Sequence, residues 1–261
     1  MAIRLSANLG FLWVDKPLLE RIELAARAGF RAIEMHWPYD TPALAVRGAC
    51  EKHGLTLLSI NTPQGDTSKG DAGLAAQLGR QSQFKDTFEQ TLSWARESGA
   101  SMIHVLPGML NAHNSEAARD LFVKNLQWAA DLAAEHGRVL LLEALNPRDK
   151  PGYFYHRVGE AQAICSSSGR SNVKLMFDIY HVGVTEGDIL TKLSALLPQI
   201  GHIQIAGVPS RTEPDDGEVR YEAIFSHLNA LGYTGWIGCE YKPRRDPESG
   251  LAWVSAMGYK L

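Results

Sequence analysis

The stretch Val139-Leu140-Leu141-Leu142-Glu143 places four apolar residues in a row and ends them on a carboxylate. A buried strand has little physical reason to finish on an anion unless something compensates the charge: a metal ion, a cationic partner or a substrate. The pattern recurs. Val173-Lys174-Leu175-Met176-Phe177-Asp178, Ile200-Gly201-His202-Ile203-Gln204 and Trp236-Ile237-Gly238-Cys239-Glu240 also end on oxygen donors. Stretches long enough for a crossover helix separate the four runs, so the donors describe a ring at one rim of a barrel.

Working outward, strand-like runs at 3–8, 32–35, 55–61 and 102–105 precede those at 139–143, 173–178, 200–205 and 236–240. Helical segments lie between them, and this alternation is the mark of βα units on a parallel sheet. The first helix spans 17–28, with Pro17 suited to its first turn and Gly29 just past its end. The same glycine stop returns at Gly54, Gly99, Gly137 and Gly232. A helix over 115–136 shows the clearest amphipathic period, with Leu121, Asn125, Trp128 and Leu132 near one face. An open doubly wound sheet would gather the donors at one switch point, whereas here the last four strands share them. The expected fold is therefore a single (β/α)8 TIM barrel. At 261 residues the chain matches the usual barrel of about 250. No shift of composition or Pro/Ser-rich linker divides it, so one domain over 1–261 is expected.

Residues 62–83 form the longest aperiodic segment, and a long structureless loop in a compact domain is usually functional. It is expected to cover the site. Phe11, Trp13, Trp37 and Tyr39 follow the first two strands and are candidates for the pocket wall, with plain packing the competing reading.

Composition narrows the function. Hydrophobic residues make up 45% and charged residues 21%, as in a folded globular protein. With a net charge of −3 and no basic cluster beyond Lys242-Pro243-Arg244-Arg245, no nucleic-acid partner is expected. The three cysteines, Cys50, Cys165 and Cys239, lack C-x-x-C spacing; they support neither a disulfide framework nor structural zinc, and a reducing cytoplasm fits best. The segment from Met1 to Asn8 is too short for a signal peptide and no apolar run reaches 18 residues, so neither export nor a membrane is expected. Gly65-Asp66-Thr67-Ser68-Lys69-Gly70 has the glycine spacing of a P-loop, but Asp71-Ala72 stands where Lys and Ser/Thr are required. No G-x-S-x-G elbow supports acyl chemistry.

At the carboxyl ends of barrel strands, Glu143, Asp178, Gln204 and Glu240 would converge. Three carboxylates packed together repel one another unless a cation lies between them. An all-oxygen set suits one divalent ion, Mg²⁺ or Mn²⁺, better than zinc. The plainer alternative, in which each acid caps a helix or pairs with an arginine, must then hold at four consecutive strands. His181 and Arg211 follow Asp178 and Gln204 by three and seven residues, in loops over the same rim, where each can donate to a substrate oxygen. Arg211 can equally pair with the acidic run Glu213, Asp215, Asp216 and Glu218.

At these residues the chain resembles the hydroxypyruvate isomerase family of the xylose-isomerase-like barrels, and also its 2-oxo-tetronate isomerase branch. The resemblance runs from Leu5-Ser6-Ala7-Asn8-Leu9 through Leu142-Glu143-Ala144-Leu145-Asn146-Pro147 and Phe177-Asp178-Ile179-Tyr180-His181. It continues in His202-Ile203-Gln204-Ile205-Ala206, Glu213-Pro214-Asp215-Asp216-Gly217-Glu218 and Gly235-Trp236-Ile237-Gly238-Cys239-Glu240-Tyr241-Lys242-Pro243. It implies divalent-metal ligands at Glu143, Asp178, Gln204 and Glu240, proton-transferring acids at Glu143 and Glu240, and substrate-orienting residues at His181 and Arg211. The third loop departs from the family. Members commonly read Gly-x-Arg-Gly and Pro-Gly-Arg-Glu there, against Gly70-Asp71-Ala72-Gly73 and Leu78-Gly79-Arg80-Gln81 in this chain.

The expected activity is isomerisation of a small sugar acid, hydroxypyruvate to tartronate semialdehyde or a 2-oxo-tetronate, by proton transfer through an enediolate. A ketose 3-epimerase on the same fold and a non-catalytic sugar-acid binding protein are the rival readings. A DNA-repair endonuclease of this fold is disfavoured by charge and by too few histidine ligands for three zinc ions. A homo-oligomer is left open.

Overall fold

The computed structural model describes residues 3–110 and 115–261. Met1 and Ala2, part of the segment read for an export signal, lie outside the described residues.

Parallel strands β1 (Arg4–Asn8), β2 (Ala32–Glu34), β3 (Thr56–Leu57), β4 (Ser59–Asn61), β5 (Met102–His104), β6 (Val139–Glu143), β7 (Val173–Asp178), β8 (Ile200–Ile205) and β9 (Trp236–Cys239) form one sheet. Its order is β3-β2-β1-β9-β8-β7-β6-β5-β4. The run expected as one strand over 55–61 is broken at Leu58. There the backbone N–H donates to Ile33 on one side, while the carbonyl accepts from Ser101 and Met102 on the other. The chain thus passes from pairing with β2 to pairing with β5. Hydrogen bonds from Met35 to Ser59 and from Asn61 to His36 carry the β2 side onward, so the two ends of the sheet meet and the barrel closes.

Helices α1 (Leu18–Ala28), α2 (Ala43–His53), α3 (Gln81–Ser98), α4 (Ser115–Ala134), α5 (Val158–Ser168), α6 (Ile179–Thr185), α7 (Ile189–Leu196) and α8 (Tyr221–Ala230) lie in the connections. Pro17 is the N-cap of α1 rather than its first residue, and Gly29 ends that helix at φ 108°, a conformation open to glycine at little cost. The buried face of α4 differs from the expected one. It runs through Ala118, Phe122, Asn125, Leu126, Ala129 and Ala133, leaving Leu121, Trp128 and Leu132 half-buried at its margins. Asn125 is tolerated inside because it donates to the Ala75 carbonyl at 2.7 Å and accepts from Gln81 at 3.0 Å.

Alternation along the strands divides the molecule into two interiors. Leu5, Ala7, Ile33, Leu140, Leu142, Leu175, Phe177, Ile203, Ile205 and Ile237 belong to the apolar layer between sheet and helices. Each fully buried side chain of this size contributes about 1.5–3 kcal/mol. The opposite parity fills the barrel with Ser6, Asn8, Glu34, His202 and Gln204, all buried. That polar column reaches up to the carboxyl ends of the strands and forms the floor of the site.

Candidate active site

Glu143 and Asp178 close β6 and β7, Gln204 is the penultimate residue of β8, and Glu240 directly follows β9. All four are buried, and the barrel brings them together. One donor atom each from Glu143, Asp178, Glu240 and His181 lie within 4.8 Å of one another, and Gln204 Nε2 stands 3.3 Å from Glu240 Oε1.

Hydrogen bonds orient these groups and leave particular atoms free. Asp178 Oδ1 accepts the N–H of Tyr180 at 2.8 Å, which caps α6. Gln204 Nε2 donates to Glu34 Oε1 at 2.8 Å. Among the described residues, three buried oxygens then have no hydrogen-bond partner: Glu143 Oε1, Asp178 Oδ2 and Gln204 Oε1. A buried acceptor without a donor costs roughly 1–3 kcal/mol, and more when charged, so three at one place form a group that could hold a cation.

Histidine 181 belongs to the cluster in a different capacity. Its Nδ1 accepts from the backbone N–H of Asn146 at 3.0 Å and lies 2.7 Å from Asn146 Nδ2. The Asn146 amide is itself oriented, because its Oδ1 takes the N–H of Asp149 at 2.9 Å. With Nδ1 as acceptor, the proton of the neutral ring is on Nε2, which lies 3.7 Å from Glu143 and 3.6 Å from Asp178. His181 therefore offers a donor to the site, and Gln204 Oε1 is the better fourth oxygen for a cation.

The electrostatics divide the two glutamates. Burial, then the charges of Glu240 and Asp178, push Glu143 well above the usual carboxylate range. Burial and Glu240 push Asp178 up to about 8. For Glu240 burial acts in the same sense, but Arg211 and His36 outweigh it and hold the carboxyl below its ordinary value. Arg211 Nη2 is 2.6 Å from Glu240 Oε2, and His36 Nε2 is 3.0 Å from Oε1. Burial, helped by Arg211, brings His181 down to about 3 and keeps it neutral.

A cavity of about 170 Å³ opens over this cluster, with Glu143, His181, Arg211 and Glu240 in its wall. Gln64 and Ala72 of the aperiodic loop also line it, as expected of that segment. The loop is firmly held: Arg80 pairs with Asp71 at 2.6 Å, and Gln77 reaches the Met109 carbonyl at 2.9 Å. Of the four aromatic candidates, Phe11 and Trp37 are in the wall. The other two serve as packing. Trp13 lies against Phe30 and donates to Glu248, and Tyr39 bonds Thr91 and packs on Trp94. Arg211 is held by Glu240 and Asp149, away from the acidic run; Arg244 pairs with Glu213 and Asp215 instead.

Several contributors escaped the reading from sequence. Asn8 donates to both Glu34 and Glu240, Glu34 pairs with His202, and His104 lies 3.5 Å from Glu143. Asn8 and Glu34 end β1 and β2, and His104 ends β5. The strand-end signal that found the other four extends to these three. Lys150 and Tyr153, also in the wall, sit in a loop that has no such signal.

The family described as "Xylose isomerase-like TIM barrel" matches residues 22–257. A 2-oxo-tetronate isomerase of Cupriavidus necator is 43% identical over 252 residues, 96% of this chain and 97% of that protein. Hydroxypyruvate isomerase of Escherichia coli is 35% identical over 253 residues, 97% and 98% of the two chains. Both relatives are isomerases. Among solved structures, a Brucella melitensis protein described as an AP endonuclease of family 2 superposes with a TM-score of 0.95 at 38% identity, covering 99% of this chain and 100% of that one. With these matches spanning nearly the whole chain, on a closed barrel whose acids meet at the carboxyl rim, the protein belongs to the xylose isomerase-like TIM barrel family.

Proposed function

We propose that the chain is a divalent-cation-dependent isomerase of a small 2-oxo acid, interconverting hydroxypyruvate and tartronate semialdehyde or the corresponding 2-oxo-tetronate pair. The observation that carries this reading is the set of three unpartnered, buried oxygens on Glu143, Asp178 and Gln204, with the Glu240 carboxylate beside them. Such a hard donor set fits Mg²⁺ or Mn²⁺, held by Glu143, Asp178, Gln204 and Glu240. When bound, the ion supplies Lewis-acid polarisation of a substrate carbonyl.

The protein's own residues do the proton work. Glu143 and Glu240 stand on β6 and just after β9, separated around the barrel by β7 and β8. From these positions one carboxylate takes the proton from the hydroxyl-bearing carbon and the other delivers a proton to the neighbouring carbonyl carbon, through an enediolate of the substrate, while the hydroxyl proton passes to the former carbonyl oxygen. His181 Nε2–H and the Arg211 guanidinium face substrate oxygens. Phe11, Trp37 and Leu106 give the cavity an apolar wall that limits water around the reacting carbons. The chain's net charge of −3 provides no electrostatic pull on a DNA duplex, consistent with a small substrate.

The test is turnover of hydroxypyruvate, tartronate semialdehyde and 2-oxo-tetronates by protein stripped of metal and then reloaded with Mg²⁺ or Mn²⁺. Activity should vanish with chelation and return with the ion. In D₂O the isomer should carry deuterium on the carbon that receives the proton. Activity that survives chelation, or a 3-epimer as sole product of a ketose, would overturn the reading.

A further inference from the structure

We propose that the turn from Lys150 to Tyr153 is the subsite that grips the substrate's carboxylate and so selects acids over neutral sugars. This deepens the isomerase reading above and rests on it. At the end of the cavity that holds Glu143 and Glu240, the three acids offset the proposed ion and Arg211, so no surplus positive charge is left there and a substrate carboxylate needs a cation elsewhere. Arg211 already has its charge offset by two carboxylates. It bonds Glu240 at 2.6 Å and Asp149 at 3.3 Å, with its guanidinium over the rings of Phe11 and Tyr180.

Lys150 is different. It is half-buried in the cavity wall, and no ion pair or side-chain hydrogen bond engages it among the described residues. The acid beside it, Asp149, is committed to Arg211 and to the Tyr180 hydroxyl at 2.8 Å. Tyr153 lines the same cavity at 2% exposure, and its buried hydroxyl has no hydrogen-bond partner among the described residues. Burial and the charge of Glu143 hold that phenol protonated, so it enters the site as a donor. An ammonium and a phenolic O–H together match the acceptor geometry of a carboxylate.

The turn is also rigid. Lys150 N–H donates to the Asn146 carbonyl at 3.0 Å, and Tyr153 N–H to the Lys150 carbonyl at 3.2 Å. Tyr153 is bridged to Met109, and Leu110 N–H bonds Gly152 at 2.9 Å. Asn146 anchors both this turn and His181, which fixes the spacing between the carboxylate grip and the reacting end.

Glycerate, an unreactive acid with the same number of carbons as hydroxypyruvate, is the probe, measured by calorimetry on Mn²⁺-loaded protein beside the kinetics of hydroxypyruvate. Lys150→Met and Tyr153→Phe should each weaken glycerate about 10-fold or more, the size of one charge-assisted hydrogen bond. They should raise KM by a similar factor while kcat stays within about threefold. Lys150→Arg should keep most of the affinity, and Mn²⁺ affinity should be unchanged in all three variants. Glycerate affinity equal to wild type in Lys150→Met, or loss of Mn²⁺ affinity in step with it, would overturn the subsite. Lys150-dependent glycerate binding by a wild type that turns over neither hydroxypyruvate, tartronate semialdehyde nor any 2-oxo-tetronate would remove the isomerase reading and leave the subsite standing.

Discussion

Glu143 and Glu240 are one side chain in two settings. The first faces Asp178, His104 and His181 with one oxygen unpartnered; the second is held ionised by Arg211 and His36. Replacement of either by Gln preserves shape and removes the proton-carrying function, so kcat should fall by roughly two to four orders of magnitude. Metal occupancy measured on the same samples separates lost proton transfer from lost ion. A variant with full occupancy and near-normal kcat would take that glutamate out of the mechanism. Asp178 offers a contrasting case. Its burial beside Glu240 makes the charged form costly, so Asp178→Asn should raise the melting temperature of metal-free protein while abolishing the extra stability that Mn²⁺ confers. Calorimetric scans with and without Mn²⁺ would show both changes, and a variant that still gained stability from Mn²⁺ would exclude Asp178 as a ligand.

At the scale of elements, the floor of the site depends on β2 and β9 meeting closely. A Cβ on Gly238 would come within 2.3 Å of Glu34 Oε1, the same oxygen that holds Asn8 and Gln204. Gly238→Ala should therefore displace Glu34 and release the Gln204 amide. Weaker Mn²⁺ binding and a destabilisation of about 1–3 kcal/mol are expected in denaturant titration. Unchanged affinity would show that the column beneath the rim does not set Gln204. Much of this architecture was legible in sequence. An apolar run ending on a donor carries two facts at once, the strand and its open end, and glycine stops such as Gly29 mark where helices finish. What resisted was information held between elements. The break at Leu58 follows from pairing with both β2 and β5, which no local pattern encodes. The buried face of α4 differs from the expected one because Trp128 looks like core by hydropathy yet sits at the edge, in T-shaped contact with Phe84 and Phe88. Glu34 and His202 come together across the barrel though far apart in sequence, and Lys150 and Tyr153 owe their position to a turn anchored on Asn146.

The whole molecule concentrates titratable groups at one rim, and this gives its stability a pH dependence tied to the metal. Asp178 keeps its proton up to about 8 when folded, against 3.8 for a free aspartate, and Glu143 shifts in the same direction. The folded state then binds protons that the unfolded chain has released, so these groups make stability fall as pH rises through that window. His181 and His104 oppose the trend at lower pH. Their folded values of about 3 and about 4 lie below the ordinary 6.5, so they favour the folded state increasingly up to that point and add nothing beyond it. The carboxyl effect therefore stands alone between pH 6.5 and 8. Over that interval a single fully shifted group contributes at most about 2 kcal/mol, which for a chain of this size is roughly 4–8 °C in Tm. With Asp178 and Glu143 both shifted, metal-free protein should lose about that much or more from pH 6.5 to 8, whereas saturating Mn²⁺ should flatten or reverse the slope, because ligands bind the ion once deprotonated. Asp178→Asn should make the metal-free slope shallower, leaving the share due to Glu143. A metal-free Tm that rises across this interval in wild type would mean that the three acids are already compensated without an ion, and the case for a cation at their centre would fail.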